Sequence, residues 1–132
     1  MGKNNEIANL VADLPEVYQE IYGHPEFSIK SSRSKEGRLS KIQNIYDKLK
    51  QIKGRDLKVL DLGCAQGFFS FNLAKKGATV HGIDFLDKNL NLCRAIAKEN
   101  PQFKVTFEEN RVENVVQLIK KNQYDLVLGL SI

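Results

Sequence analysis

Two carboxylates and a cluster of small residues are the part of this sequence that could do chemistry. In VLDLGCAQGFFS (59–70), an apolar run carries one acid, Asp61, and then breaks into Gly63, Cys64, Ala65 and Gly67. Twenty-one residues after Gly63, the segment TVHGID (79–84) ends in a second acid, Asp84. Small residues let backbone approach a ligand with no side chain intervening. A helix that starts directly after them opens with free N–H donors. A carboxylate at the end of the next strand can accept both hydroxyls of a ribose. Together these are the parts of a nucleotide-cofactor site.

The spacing separates the candidate cofactors. Nicotinamide dinucleotides call for G-x-G-x-x-G, whose glycines seat a pyrophosphate. Here Gly63 and Gly67 enclose Cys64, Ala65 and Gln66, and bulky Phe68 stands where a third glycine belongs. Asp61, two residues ahead of the first glycine, would repel a pyrophosphate and suits a ligand with a cationic end.

These residues need elements to hold them. Leu57–Leu62 reads as a strand, Gly67–Lys76 as a helix closed by Gly77, and Ala78–Ile83 as a second strand. Asp87 can cap a helix that runs to Asn100, where Pro101 stops it. Phe103–Phe107 is a third strand, Val112, Val115, Val116 and Ile119 mark another helix, and Tyr124–Leu130 is a fourth strand. Strands alternating with helices of this length imply an α/β fold with a parallel sheet and right-handed crossovers. Upstream, Ile7, Leu10, Val11 and Leu14 have helical spacing, and Pro15 suits the first turn of a second short helix through Ile21. Residues 26–37 read as a loop, and Leu39, Ile42, Ile45, Tyr46, Leu49 and Ile52 mark a long helix that stops at Gly54. Two regions follow: an N-terminal helical extension over 1–54, and a cofactor-binding half-sheet over 55–132.

Composition narrows the class. The chain has 132 residues, 42% of them hydrophobic and 27% charged, enough for one domain with a core. No apolar run approaches a membrane span, and the polar start MGKNNEIANL is no signal peptide. Glu6 occupies the position where a myristoylation signal needs Ser or Thr. Cys64 and Cys93 have no Cys or His partner at metal spacing, so no metal is expected, and both read as reduced thiols of a cytoplasmic protein. Cys64, in an exposed loop near a helix N-terminus, would have a lowered pKa if reactive, but a small residue chosen for fit is the favoured reading. The net charge of +4 could favour a phosphate-bearing or nucleic-acid partner. The six basic residues of KIQNIYDKLKQIKGRDLK fit a solvated helix face better, and no basic patch interleaved with aromatics supports nucleic acid. His24, before Pro25, is a conceivable general base but reads better as a turn histidine, and His81 lies inside a strand.

VLDLGCAQG joined to GIDF resembles the first two motifs of the class I S-adenosylmethionine-dependent methyltransferases, which have a Rossmann-like fold. The resemblance implies that Asp61 lies near the methionine amino group, that Gly63, Cys64, Ala65 and Gly67 carry the cofactor backbone, that Asp84 holds the ribose and that Phe85 packs near adenine. It implies a sheet ordered 3-2-1-4 over these strands. Two departures are visible: Ala65 replaces a glycine, and Arg111 stands where relatives place an acid for the adenine amine. Asn110 or the backbone of Val112 is left for that contact. Tyr18, Tyr22 and Arg33 could fold over the site, with Arg33 pairing the methionine carboxylate; core packing for the tyrosines and solvent for Arg33 is the plainer alternative.

VYQEIYGHPEFSIKSSR (17–33) and NLCRAIAKENP (91–101) add a narrower resemblance, to the methyltransferase module of bacterial O-antigen chain-terminating methyltransferase/kinases. That implies a small-molecule or glycan-end acceptor, methylated at a phosphate or hydroxyl of a cell-surface polysaccharide. A nicotinamide-dependent oxidoreductase and a non-catalytic S-adenosylmethionine-binding module are the rivals. The chain ends at YDLVLGLSI, where a fourth strand finishes, whereas the fold family has seven strands. The expectation is a C-terminally truncated domain that is inactive by itself and self-associates through the open edge of that strand.

Overall fold

A computed structural model of the chain describes residues 3–27, 36–111, 114–122 and 124–130. The element order is α1 (Lys3–Ala12), a 3-10 turn (Pro25–Phe27), α2 (Glu36–Lys53), β1 (Lys58–Leu62), α3 (Phe68–Lys75), β2 (Thr79–Asp84), α4 (Asp87–Glu99), β3 (Lys104–Glu109), α5 (Val115–Asn122) and β4 (Leu126–Leu128). The sheet is ordered β3-β2-β1-β4, and every pairing is parallel. This is the predicted α/β arrangement.

Alternation along the strands sorts the core into two layers. Val59 and Val80 pack with Ile42 and Tyr46 of α2 and Phe69 and Leu73 of α3. Val105 and Phe107 of β3 pack on Phe71, Leu92 and Ile96, where Ile7 of α1 joins them. The opposite face carries Leu60, Leu62 and Ile83 against Val115 and Ile119 of α5. Thus α1 and α2 share the core of the sheet. Leaving β1 for β2 and β2 for β3, the chain crosses one face; leaving β3 for β4 it crosses the other. The order therefore reverses beside β1, and the glycine turn after β1 lies at that reversal.

Three expectations need correction. Pro15–Ile21 is not a helix: the Tyr18 and Gln19 N–H groups donate to the Gln66 side chain, so tertiary bonds replace the i−4 carbonyls a helix would use. Asp87 does not cap α4: it is the first helical residue, the cap position is Leu86, and no side chain caps it. Finally, β4 is only three residues long and pairs with β1 at Val59, Leu60 and Asp61. Among the described residues β4 has β1 as its one neighbour.

Candidate cofactor site

The register of β1 on β2 sets Asp61 opposite Gly82 and Leu62 opposite Ile83. The turn after β1 therefore emerges beside the end of β2. Gly63, Ala65 and Gly67 all have left-handed backbone, with φ of 68°, 50° and 87°. A side chain on Gly67 would also meet Phe71 at 2.8 Å and the Cys93 sulfur at 3.0 Å, so glycine is required there twice over. Ala65 is the non-glycine member of the set, and both its backbone groups are held. Its N–H donates to Asp84 Oδ2 at 2.8 Å, and its carbonyl accepts from the Cys93 thiol at 3.3 Å. The Gly63 and Cys64 N–H groups both donate to the carbonyl of Ile83, at 2.8 and 2.9 Å. The turn is thus fastened to the end of β2 at each successive residue.

Asp84 is 6% exposed and holds two segments together. Oδ2 takes the Ala65 N–H, and Oδ1 takes the Leu86 N–H at 2.9 Å. Each oxygen keeps a second lone pair for a ligand donor. Next to it, Phe85 is 72% exposed, an unusual position for a large aromatic ring. The Asn110 N–H donates to the carbonyl of Asp84 at 3.0 Å, so the residue after β3 is brought to the same corner. Arg111 is exposed beside it.

Asp61 is 2% exposed. Its Oδ2 accepts from the Ser70 hydroxyl at 2.7 Å, and that is its one hydrogen bond among the described residues. Burial pushes its carboxyl up to about 7; the Ser70 bond opposes the shift, and the Asp84 charge adds to it. No Lys, Arg or His among the described residues is ion-paired with it.

Cys64 departs from the expectation of an exposed thiol with a lowered pKa. Its side chain is fully buried against Cys93, Leu90 and Phe107. A hydrogen bond with Cys93, then burial, push the thiol up. The cause is Gly82, which leaves room for it: a Cβ there would lie 3.2 Å from Cys64 Cβ. The small-residue reading of Cys64 is the one the geometry fits.

Local spacing assigns Gln66 no separate role, yet it organises the turn. It is fully buried; its Oε1 accepts from the Tyr18 N–H at 3.0 Å and the Gln19 N–H at 3.1 Å, and its Nε2 donates to Asn89 Oδ1 at 2.7 Å. Gln19 Oε1 in turn accepts the Phe68 N–H, at 3.1 Å. The first N–H of α3 is therefore not free, contrary to the sequence reading. An amide flanked by small residues and an aromatic pair was the available signal, but its partners lie 47 and 48 residues away.

The remaining candidates divide. Tyr18 is 43% exposed beside this junction. The Tyr22 ring packs on Phe71 and Phe103 at 5.6 and 5.8 Å, which fits the core alternative. Arg33 and Val112 lie outside the described residues. His24 is buried and touches Glu99 Oε1 at 2.7 Å, at the far end of α4 from Asn89, which fits a turn histidine. His81 lies between Thr106 and Glu108 on the sheet. No group of three or more His, Cys, Asp or Glu among the described residues could hold a metal, and no described helix is long and apolar enough to cross a membrane.

Residues 53–130, which span the turn, both acids and all four strands, match the methyltransferase domain family. The chain belongs to that family. It is 50% identical over 127 residues to the O-antigen chain terminator bifunctional methyltransferase/kinase WbdD of Escherichia coli, covering 96% of this chain and 18% of that protein. A crystal structure of WbdD superposes with a TM-score of 0.92 at 50% identity, over 96% of this chain and 28% of that one. The ubiquinone biosynthesis O-methyltransferase of Rickettsia bellii is 33% identical over 94 residues, 71% of this chain and 35% of its own length. The chain thus spans about a fifth of the length of WbdD. The family and fold expected from the two motifs are those found.

Proposed function

We propose that this domain binds S-adenosylmethionine across Asp61, the Gly63–Gly67 turn and Asp84, and serves methyl transfer to an oxygen nucleophile. The observation that carries the reading is Asp61, a buried carboxylate with one hydroxyl as its hydrogen-bond partner among the described residues. Burying an acid without a counter-charge is unfavourable, and a ligand ammonium would supply that charge. The other residues fit the same ligand. The lone pairs left on Asp84 can accept ribose hydroxyls, and the exposed ring of Phe85 can cover a base. A bound S-adenosylmethionine supplies a methyl group made electrophilic by its sulfonium. The chain's own part is to bind, orient and exclude water. Arg33 and Val112 stay in the proposed site as contacts to the methionine carboxylate and adenine.

Similarity to the O-antigen chain terminator supports a phosphate or hydroxyl at the end of a cell-surface polysaccharide as the acceptor; a cytoplasmic setting belongs to the same proposal. Similarity to an O-methyltransferase supports oxygen as the atom methylated. That β4 has one neighbour among the described residues supports self-association through that edge, which light scattering at high concentration tests. The cofactor reading is tested by calorimetry with S-adenosylmethionine, S-adenosylhomocysteine and NAD. The first two should bind and NAD should not; NAD binding alone would overturn it.

A further inference from the structure

We infer that Gln19 and Gln66 are positioning residues: through them the N-terminal segment holds the glycine turn in its cofactor-receiving shape and sets how fast the cofactor leaves. The inference rests on the reading of this turn as an S-adenosylmethionine site. Two observations carry it. The first is reciprocity. Gln66 of the turn accepts two successive N–H groups from residues 18 and 19, and Gln19 accepts the N–H of Phe68, where the turn becomes α3. The second is that α3 cannot cap itself: its cap position is Gly67, which has no side chain to reach an orphan N–H. A glutamine 49 residues upstream of Phe68 performs that task.

All three amides of the junction are nearly sealed from water: Gln66 is 0% exposed, Gln19 2% and Asn89 4%. Leaving any of them unpaired in place would be costly, so the bonds break together and only as the segment lifts and water enters. Lifting it frees the Gln66 side chain and the Phe68 N–H at once. The turn, whose Gly63, Ala65 and Gly67 are in left-handed backbone, then loses the contacts that fix its end. A cofactor lying on that turn would hold the segment down, and the segment would hold the cofactor in. Asn89 extends the junction to the first turn of α4, the helix that starts directly after the Asp84–Leu86 contact.

The test uses Gln19→Ala and Gln19→Glu in this chain, with the dissociation rate of S-adenosylhomocysteine by stopped flow as readout. Gln19→Ala should release it about tenfold faster, the scale of one lost hydrogen bond. Gln19→Glu should restore the rate, because its carboxylate still accepts the Phe68 N–H and suits a helix N-terminus. A folded Gln19→Ala protein with the wild-type rate, or a Gln19→Glu protein as fast as the alanine variant, would overturn the inference. Should Gln19→Ala not fold, hydrogen exchange at the Phe68 amide of the wild type decides. Strong slowing by S-adenosylhomocysteine is expected, and no slowing overturns it. If the wild type fails to bind S-adenosylhomocysteine, the cofactor reading falls and this inference with it; normal wild-type binding with an indifferent variant sinks the inference alone.

Discussion

The two ends of β1 each have a poorly exposed aspartate, and the chain treats them in opposite ways. At the start of the strand, Asp125 accepts from both guanidinium nitrogens of Arg55, at 2.8 and 2.9 Å, and from the Lys58 N–H at 2.7 Å. Those bonds, the Arg55 one foremost, hold its carboxyl well below the usual carboxylate range. At the other end Asp61 has one hydroxyl, and burial takes it up to about 7. Where the chain supplies its own counter-charge, the acid is a structural staple joining β1 to β4. Where it withholds one, a ligand can bring the counter-charge, and that is the end we propose as the site.

The sharpest way to break this contrast is Asp61→Asn. The amide still accepts from Ser70 and removes a buried charge, so ligand-free stability at pH 8 should rise, by something on the order of 2–4 kcal/mol for a shift of about three pH units. Affinity for S-adenosylmethionine should fall by about ten- to a hundredfold, as expected for losing a charge-assisted bond. Denaturant unfolding and calorimetry on one sample read both. If stability does not rise, Asp61 already has a partner; if affinity holds, that partner is not the ammonium.

The two acids also tilt stability with pH in opposite senses. The folded-state pKa of Asp61 is raised, so its contribution is full below about pH 4, the unfolded value, and is lost as pH rises to and through about 7. That of Asp125 is lowered, so its contribution is present above about pH 4 and is lost as pH falls below it. Between pH 4 and 7 the Asp61 slope should therefore stand alone among the two. It should flatten in Asp61→Asn and under saturating S-adenosylmethionine. A ligand-free protein whose stability is level across that window would show that Asp61 titrates normally.

Asp84→Ala is the intermediate case, since Asp84 is both a staple and part of the proposed site. Cofactor binding should weaken by about 1–3 kcal/mol, the scale of hydrogen bonds to a charged group. Part of that loss would come through Ala65, whose left-handed backbone is tied to Asp84 Oδ2. An unchanged dissociation constant would confine Asp84 to its structural role.

Much of this was legible in local sequence. The first strand, the end of the second, the glycine turn and both acids of the proposed site are encoded within VLDLGCAQG and GIDF, where spacing along one strand and one turn fixes what faces what. Pairing across distance was not legible. Pro15–Ile21 looked helical because nothing local says that its N–H groups are taken by Gln66. Cys64 looked exposed because the space it fills is made by Gly82 on the neighbouring strand. Asp125 drew no notice at all, since its partner Arg55 lies 70 residues away.

That staple gives the smallest predicted effect and the control for the rest. Asp125→Ala leaves the Lys58 N–H without its acceptor and should cost about 1–2 kcal/mol of stability. It should leave S-adenosylmethionine affinity alone. Asp61 lies opposite Leu128, three residues along from Asp125, and at about 3.3 Å per residue that is roughly 10 Å, more than a screening length of about 8 Å at physiological salt. Arg55→Met should do less again, because Asp125 keeps its Lys58 bond and more than half of the Arg55 side chain is exposed. The small loss it does cause should vanish in high salt. Unfolding midpoints at low and high salt, with calorimetry on each variant, check all of this. Were Asp125→Ala to weaken cofactor binding as much as Asp61→Asn, the two ends of β1 would be one coupled unit, and the division between staple and site would be wrong.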